Sequence, residues 1–236
     1  MAPQNSLIAS NLAEIRERIA RSAARAGRAP EDITLVAVSK TFPPEAIRSA
    51  FELGLRQFGE NRVQEWESKR AAVADLDATW HLIGHLQSNK ARRAANLFDR
   101  VDSLDSVALA QKLDAAAASE AKRLKILIEV HLGGGEETKS GVPEADLPEL
   151  AEIIAQLQNL ELRGLMTIPP YFEKPEQVRP YFQKLRTLRD QVSAQIGRPS
   201  NVLSMGMSHD FEIAIEEGAT EIRVGTALFG ERSKKA

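Results

Sequence analysis

The sequence predicts an α/β fold of the (β/α)8 barrel (TIM barrel) type, formed by a single domain with an extra helix at its N-terminus. Short runs rich in β-branched residues alternate with segments of helical periodicity, which indicates βαβ units and a parallel sheet. Eight such runs occur within 236 residues, close to the usual barrel length of about 250 residues. An open, doubly wound sheet is the alternative, but it usually needs fewer strands. The sequence also has no G-x-G-x-x-G motif after the first strand and no G-x-x-x-x-G-K-[ST] motif, the two glycine-rich patterns of nucleotide-binding folds.

The first element is a helix that precedes the barrel. Apolar residues recur from Ile8 to Ile19 at spacings of four, three and four, which places them on one face of an α-helix. Gly27 and Pro30 end this helix. The barrel core then covers about residues 30–231, and no linker rich in glycine, serine or proline divides the span 1–236 into two domains.

Strands and helices then alternate along the rest of the chain. The first strand is a nearly continuous apolar run, which is typical of a strand buried on both faces of a sheet. The predicted strands are 33–39, 57–59, 80–84, 100–103, 125–130, 162–168, 201–205 and 221–225. The clearest helical patterns between them are 44–53, 105–121, 143–157, 175–196 and 209–217.

The composition excludes several classes of function. Lys and Arg total 31 against 33 Asp and Glu, for a net charge of -2, so we expect no nucleic-acid or membrane-surface partner. There are no cysteines, which excludes disulfides, thiolate metal sites and cysteine nucleophiles. The N-terminus has no signal-peptide pattern, and no apolar stretch approaches the ~18 residues of a membrane span, so we expect a cytoplasmic protein.

Lys40 is the first candidate for chemistry. Side chains alternate along a strand, so Val36, Val38 and Lys40 share one face. If the two valines fill the barrel, Lys40 lies at its mouth, where the active sites of such barrels are found. A desolvated lysine loses its charge more easily, and a neutral amine can attack a carbonyl to form a Schiff base. The alternative is a lysine that extends to solvent from a strand end.

Two further candidate features belong to the last two strands. Arg223 alternates with apolar residues in a strand that should be buried. Its guanidinium needs a partner, which is either a ligand in the barrel or a glutamate of the core. Small-residue turns follow both strands, at 204–208 (SMGMS) and at Gly225 and Thr226. Barrels often bind phosphate at this position. Each turn alone is typical of an ordinary helix cap. Together the two turns predict a phosphate-binding site, which we call the phosphate cup.

The histidines do not predict a metal site. His81 and His85 are four residues apart, which is roughly 13 Å along a strand, and no carboxylate or cysteine set supplies further ligands. Ser208, His209 and Asp210 have the composition of a catalytic triad, but adjacent side chains diverge and cannot act in line. We therefore predict no metal and no triad.

Seven segments of the sequence carry a resemblance to a known family. They are 35–41 (LVAVSKT), 58–65 (FGENRVQE), 80–90 (WHLIGHLQSNK), 139–141 (KSG), 164–166 (GLM), 203–208 (LSMGMS) and 223–230 (RVGTALFG). In this order they resemble the pyridoxal phosphate homeostasis protein (PLP-binding protein) family, whose barrel is like the N-terminal domain of alanine racemase. A nucleophilic lysine, a buried cation and a phosphate cup also match the aldehyde, ring nitrogen and phosphate of pyridoxal 5′-phosphate (PLP).

The resemblance implies a role for each matching residue. Lys40 would form the Schiff base with PLP, and Arg223 would face the pyridine nitrogen. Asn61 would lie near the ring hydroxyl, and His85 would line the mouth. The phosphate would be held by Ser208, Gly225 and Thr226. The loop before residue 139 departs from the family pattern, which leaves the role of His131 open.

The resemblance also implies weak catalysis. A cation at the pyridine nitrogen disfavours ring protonation, so the ring is a poorer electron sink. Alanine racemases add tyrosine bases, whereas this sequence has two tyrosines, Tyr171 and Tyr181, both near the loop after the sixth strand. We expect a monomeric carrier that binds PLP reversibly on Lys40 and transfers it to apo-enzymes. The alternatives are a PLP-dependent amino-acid racemase or related fold-type III enzyme, and a PLP-free barrel for another phosphorylated metabolite.

Overall fold

The computed structural model describes residues 3–133 and 140–230. Its strands are β1 (Thr34–Val38), β2 (Gln57–Glu60), β3 (Thr79–Leu82), β4 (Arg100–Leu104), β5 (Leu124–His131), β6 (Val142–Pro143), β7 (Leu160–Met166), β8 (Val202–Met207) and β9 (Glu221–Val224). All pairings are parallel, in the order β4-β3-β2-β1-β9-β8-β7-β5, and pairing of β4 with β5 closes this ring. The two-residue β6 lies beside the end of β5. The fold is therefore a closed barrel of eight parallel strands.

Helices surround the barrel in the described part of the chain. They are α1 (Pro3–Arg25), α2 (Pro44–Glu52), α3 (Val63–Lys69), α4 (Ala91–Leu97), α5 (Val107–Ser119), α6 (Leu147–Gln156), α7 (Arg179–Ile196), α8 (Phe211–Glu216) and α9 (Thr226–Phe229). Short 3-10 turns occur at Pro30–Asp32, Arg70–Val73, Ser88–Lys90, Glu144–Asp146 and Pro175–Val178. Across the described ranges, every helix is too short or too polar to span a bilayer.

The predicted fold class is confirmed, with differences at individual elements. All eight predicted strands occur with small shifts at their ends, and the N-terminal helix precedes them. The strand β3 ends at Leu82, so His85 lies beyond it, and the prediction that His81 and His85 share one strand is wrong. The helices α3 and α4 were not among the clearest helical patterns, because seven residues are less than two full periods of an apolar face.

The hydrophobic core lies between the barrel and its surrounding helices. On β1, Ala37 belongs to this outer core, whereas Val36 is fully buried on the other face of the strand. Val38, two residues further, borders the open mouth of the barrel. The alternation predicted for this strand is therefore present, and it directs the residue after the strand towards the mouth.

A buried ion network fills the amino end of the barrel, opposite the mouth. Arg100 donates to Asp102 at 2.5 and 2.9 Å and to Glu221 at 2.7 Å. His81 lies between Asp102 Oδ2, at 3.2 Å, and Gln57 Oε1, at 2.7 Å. Burial opposes the charge of Asp102, but Arg100 and His81 more than offset it, so the pKa of this carboxyl is well below its usual value. The network neutralises charges that would otherwise be costly to bury.

The helix α1 covers one side of the barrel. Its apolar residues Ile8, Leu12 and Ile15 are almost completely buried, as their spacing predicts. Asn11 donates to the carbonyl oxygen of Leu228 at 3.0 Å. This bond attaches α1 to α9, the short helix that follows the last strand, so the N-terminal helix supports the wall next to the barrel mouth.

Candidate functional site

A cavity of about 450 Å³ opens at the mouth of the barrel, where the carboxyl ends of the strands meet. Its volume lies within the range of about 300–1,000 Å³ that is usual for small-molecule sites. The structure brings the sequence-predicted site residues together here. The cavity is lined by Lys40, Asn61, His85, Ser208, Arg223, Gly225 and Thr226, together with apolar side chains.

Lys40 lies on a tight turn that follows β1. The N–H of Phe42 donates to the carbonyl oxygen of Ser39 at 3.1 Å, and Lys40 is half-buried between them. The next residue, Thr41, has a φ of 67°. This left-handed conformation costs a β-branched residue on the order of 1–3 kcal/mol. A strained backbone conformation persists only where the surrounding contacts hold it in place. The turn therefore holds Lys40 at a defined position on the rim of the cavity.

Arg223 provides a buried positive charge next to the cavity. It is 3% exposed, and it donates to Ser204 Oγ at 2.7 Å and to the Thr167 carbonyl oxygen at 2.8 Å. Burial lowers the pKa of Arg223, but a guanidinium remains charged at neutral pH. Among the described residues its side-chain hydrogen bonds go to a hydroxyl and a carbonyl and not to a core glutamate, although the charges of Glu129 and Glu221 oppose the fall in its pKa.

The residues of the predicted phosphate cup come from adjacent strand ends. Ser208 follows β8, Gly225 follows β9, and Thr226 is the first residue of α9. The N–H of Ala227 donates to Ser208 Oγ at 3.3 Å, which joins the two turns. Gly206 is required in β8, because a Cβ there would lie 2.5 Å from the Ala214 methyl group. These turns therefore bring Ser208, Gly225 and Thr226 to the wall of one cavity.

Asn61 and His85 line the cavity from the ends of β2 and β3. The two chain segments approach closely at Gly84, where an added Cβ would lie 2.4 Å from the Asn61 carbonyl oxygen. Beyond this contact, His85 Nδ1 lies 3.2 Å from Asp105 Oδ2, and the His85 side chain is 54% exposed. Asn61 thus has a defined position on the cavity wall, whereas His85 lies at its solvent edge.

Glu129 also lines the cavity, although it is not among the site residues predicted from the sequence. Its side chain is 3% exposed, and its Oε1 accepts from Ser140 Oγ at 3.0 Å. Its Oε2 has no hydrogen-bond partner among the described residues. Burial raises the pKa of Glu129. The signal in the sequence is a single carboxylate in the otherwise apolar run 126–130 of strand β5, where a charged side chain needs a functional or structural partner.

Other candidate residues lie outside the mouth cavity. His131 borders a separate surface depression with Tyr181 and Lys184. Tyr171 is 77% exposed and lies over His209, with ring centroids 5.2 Å apart. Neither tyrosine lines the mouth cavity. The first residue of the predicted segment 139–141 lies outside the described residues.

The network at the amino end of the barrel has one feature that sequence reasoning did not detect. Ligand atoms of His81, Asp102 and Glu221 all lie within 4.8 Å of one another, so two carboxylates do accompany this histidine. Arg100 forms hydrogen bonds with both carboxylates and already supplies a positive charge between them. The cluster is accounted for as an ion network, and the prediction of no metal site stays a prediction.

Comparisons with known proteins agree with this geometry. The family model of the alanine racemase N-terminal domain matches residues 10–233. The pyridoxal phosphate homeostasis protein of Aquifex aeolicus is 50% identical over 221 residues, which cover 94% of this chain and 96% of that protein. The pyridoxal phosphate homeostasis protein of Escherichia coli is 43% identical over 240 residues, covering 97% and 99%.

Solved structures show the same barrel. PipY of Synechococcus elongatus, solved with PLP bound, has a TM-score of 0.84 and 42% identity, covering 94% of this chain and 100% of that chain. Alanine racemase from Corynebacterium glutamicum shares the fold, with a TM-score of 0.69 at 16% identity, covering 97% of this chain and 62% of that chain.

The chain therefore belongs to the class of barrels defined by the alanine racemase N-terminal domain. Within this class it is a member of the pyridoxal phosphate homeostasis protein family, because the identity extends over nearly the full length of both bacterial relatives. The resemblance seen in the sequence is confirmed.

Proposed function

We propose that this protein binds PLP reversibly at the barrel mouth and acts in PLP homeostasis, without strong catalysis of its own. One observation carries the proposal: Lys40, Arg223 and the turn residues Ser208, Gly225 and Thr226 line a single cavity. The names of the bacterial relatives and the PLP bound to PipY support the same ligand.

The residues at the mouth fit the chemical groups of PLP. Lys40 offers a primary amine, Arg223 a cation, and Ser208 and Thr226 offer hydroxyls beside backbone N–H groups that suit a phosphate dianion. Asn61 offers an amide for the ring hydroxyl. When bound, PLP supplies an aldehyde that condenses with a neutral lysine amine with loss of water.

The groups around the cavity support the proposal of weak catalysis. Arg223 stays cationic, and a cation beside a pyridine nitrogen disfavours protonation of that nitrogen. Fast carbanion chemistry also needs a positioned second base. The described residues that line the cavity include no tyrosine, and their one carboxylate, Glu129, accepts a hydrogen bond from Ser140. His85 contacts Asp105, and His209 Nε2 lies 3.2 Å from the Phe172 carbonyl oxygen. His85 lies at the solvent edge of the cavity, so it is not a base shielded from water.

Reversible binding fits a role as a carrier. Lys40 is half-buried, and His85 at the rim is largely exposed, so a ligand held there has a direct path to solvent. We extend the proposal to a monomer that limits free PLP and transfers it to apo-enzymes through brief encounters. The half-buried position of Lys40 supports the release step of this extension, because a ligand held there stays within reach of solvent.

The test of the proposal is the site of covalent attachment. Purified protein is loaded with PLP, reduced with borohydride and digested, and the modified peptide is identified by mass spectrometry. We expect the label on Lys40, because this lysine lies in the cavity. The Lys40→Ala variant should fold and lose the visible absorption band, whereas Lys90→Ala, outside the cavity, should keep it. A label on Lys90 would contradict the assignment.

The same preparation tests the absence of strong catalysis. Wild-type protein loaded with PLP is incubated with a panel of amino acids, and racemisation and α-deuterium exchange are measured. We expect turnover far below about 1 s⁻¹, the low end of the usual enzyme range. Faster turnover would favour the alternative of a PLP-dependent racemase. A colourless protein that binds only other phosphorylated metabolites would favour the alternative of a PLP-free barrel.

A further inference from the structure

A buried ion cluster borders the turn that carries Lys40. Lys69, the last residue of α3, is 8% exposed, and its Nζ lies 2.8 Å from Glu60 Oε1 and 3.1 Å from Glu65 Oε1. Glu60 is fully buried, and it also accepts from Ser39 Oγ at 2.6 Å. Burial raises the pKa of Glu60, whereas Lys69 and Ser39 oppose the rise. A lysine is almost never buried this deeply unless it is paired.

The same ammonium group holds the backbone on both sides of Lys40. Lys69 Nζ donates to the carbonyl oxygen of Ser39 at 2.9 Å and to that of Phe42 at 3.3 Å. These two carbonyls flank the left-handed Thr41. The turn is thus fixed at its first and last residues by one cation.

The carboxylate of Glu65 fixes the middle of the turn. It accepts the N–H of Thr41, and it lies four residues before Lys69, so both side chains project from one face of α3. Glu60 and Glu65 both fall in the segment 58–65, in which Asn61 alone has a role at the cavity. Glu60 and Glu65 therefore have a structural task at the turn that carries Lys40.

We propose that Lys69, held by Glu60 and Glu65, is a positioning residue that keeps Lys40 in the geometry needed to attack the PLP aldehyde. Lys69 does not line the cavity, so it acts through the strained turn and not through the ligand. The inference rests on the proposed function and deepens it. It predicts that Lys69 affects the condensation step and leaves the binding of ring and phosphate unchanged.

The test compares two ligands that differ at the aldehyde. PLP can condense with Lys40, whereas pyridoxine 5′-phosphate has the same ring and phosphate but an alcohol in place of the aldehyde. In Lys69→Met, we expect the covalent absorption band to appear about tenfold more slowly at saturating PLP. The dissociation constant for pyridoxine 5′-phosphate should stay within twofold of wild type. The measurements are stopped-flow absorbance and fluorescence titration.

Lys122→Met is the matched control variant. Lys122 is half-buried and, like Lys69, donates to a backbone carbonyl, that of Phe98 at 2.9 Å, but it lies at the amino end of the barrel. Its replacement should lower thermal stability and leave both ligands unchanged. If Lys69→Met does not fold, Glu65→Ala removes the acceptor of the Thr41 N–H and should slow the band about threefold. An unchanged rate in the folded variants, or equal weakening of both ligands, would overturn the proposal.

A further measurement separates this inference from the proposed function. Lysine amines of the ligand-free protein are methylated with formaldehyde and cyanoborohydride, and the rate at Lys40 is normalised to that at Lys122. We expect at least a threefold faster rate at Lys40 in Lys69→Met, since the loosened turn exposes the amine. Wild type that binds neither ligand would overturn the proposed function, whereas an unchanged Lys40 rate would overturn the positioning role.

Discussion

At the scale of single residues, Ser208 and Thr226 are the side chains whose chemistry is most specific for a phosphate. Their hydroxyls reach the cavity from the ends of two neighbouring strands. Hydrogen bonds to a charged group contribute about 1.5–3 kcal/mol each. Ser208→Ala combined with Thr226→Val should therefore weaken PLP binding by roughly 100-fold or more, measured by fluorescence titration.

Pyridoxal, which has the aldehyde and ring of PLP but no phosphate, is the control ligand. Its affinity should change less than about threefold in the double variant, because neither hydroxyl faces the ring in the proposed arrangement. Equal losses for PLP and pyridoxal would show that the phosphate binds elsewhere. The thermal stability of the variant is measured in parallel, since Ser208 also accepts the N–H of Ala227.

At the scale of elements, strand ends were predictable and short helices were not. Lys40 and Arg223 could be placed at the mouth because side-chain alternation and the rule for barrel active sites act locally along the chain. Lys69 could not, because α3 has seven residues and no clear apolar period. Its contact with the Lys40 turn depends on how α3 packs against the preceding strand. Similarly, Arg100 and Glu221 lie 121 residues apart, and only barrel closure brings them together.

Gly84 shows how the packing of two strand ends determines the site. A Cβ at this position would lie 2.4 Å from the Asn61 carbonyl oxygen, so Gly84→Ala must shift the segment that carries Asn61. We expect a loss of about 1–3 kcal/mol in the free energy of unfolding, as for overpacked cores, together with about tenfold weaker PLP binding. Urea unfolding and ligand titration measure the two effects.

Gly27→Ala is the control variant that separates backbone strain from the steric crowding expected in Gly84→Ala. Gly27 has a φ of 66° and open space around its Cβ position, so alanine there costs about 1–2 kcal/mol of backbone strain without touching the cavity. This variant should lose stability and keep wild-type PLP affinity. If Gly84→Ala also kept that affinity, the contact with Asn61 would have no influence on the site.

At the scale of the whole molecule, the two ends of the barrel differ in their roles. The buried ion network at the amino end stabilises the fold, and the cavity at the mouth is the proposed ligand site. Arg100 is the centre of the ion network, where it compensates the buried carboxylates of Asp102 and Glu221. Arg100→Met leaves both carboxylates without their guanidinium partner, which costs about 3–5 kcal/mol when a buried pair is broken. We expect this loss in urea unfolding at pH 7. The PLP affinity of the folded fraction should remain within twofold of wild type, because the cavity lies at the other end.

The pH dependence of this loss tests its electrostatic origin. The pKa of Asp102 is lowered in the folded protein. The ionised Asp102 therefore contributes its full share to the free energy of unfolding above its unfolded-state pKa of about 3.9, and this contribution declines as the pH falls below that value. In Arg100→Met the same carboxyl no longer has the cation that lowers its pKa, and protonation relieves the cost of its burial. The difference in unfolding free energy between wild type and variant should therefore shrink between about pH 5 and pH 3. A difference that stays constant over this range would indicate that Arg100 stabilises the barrel by packing and not by charge.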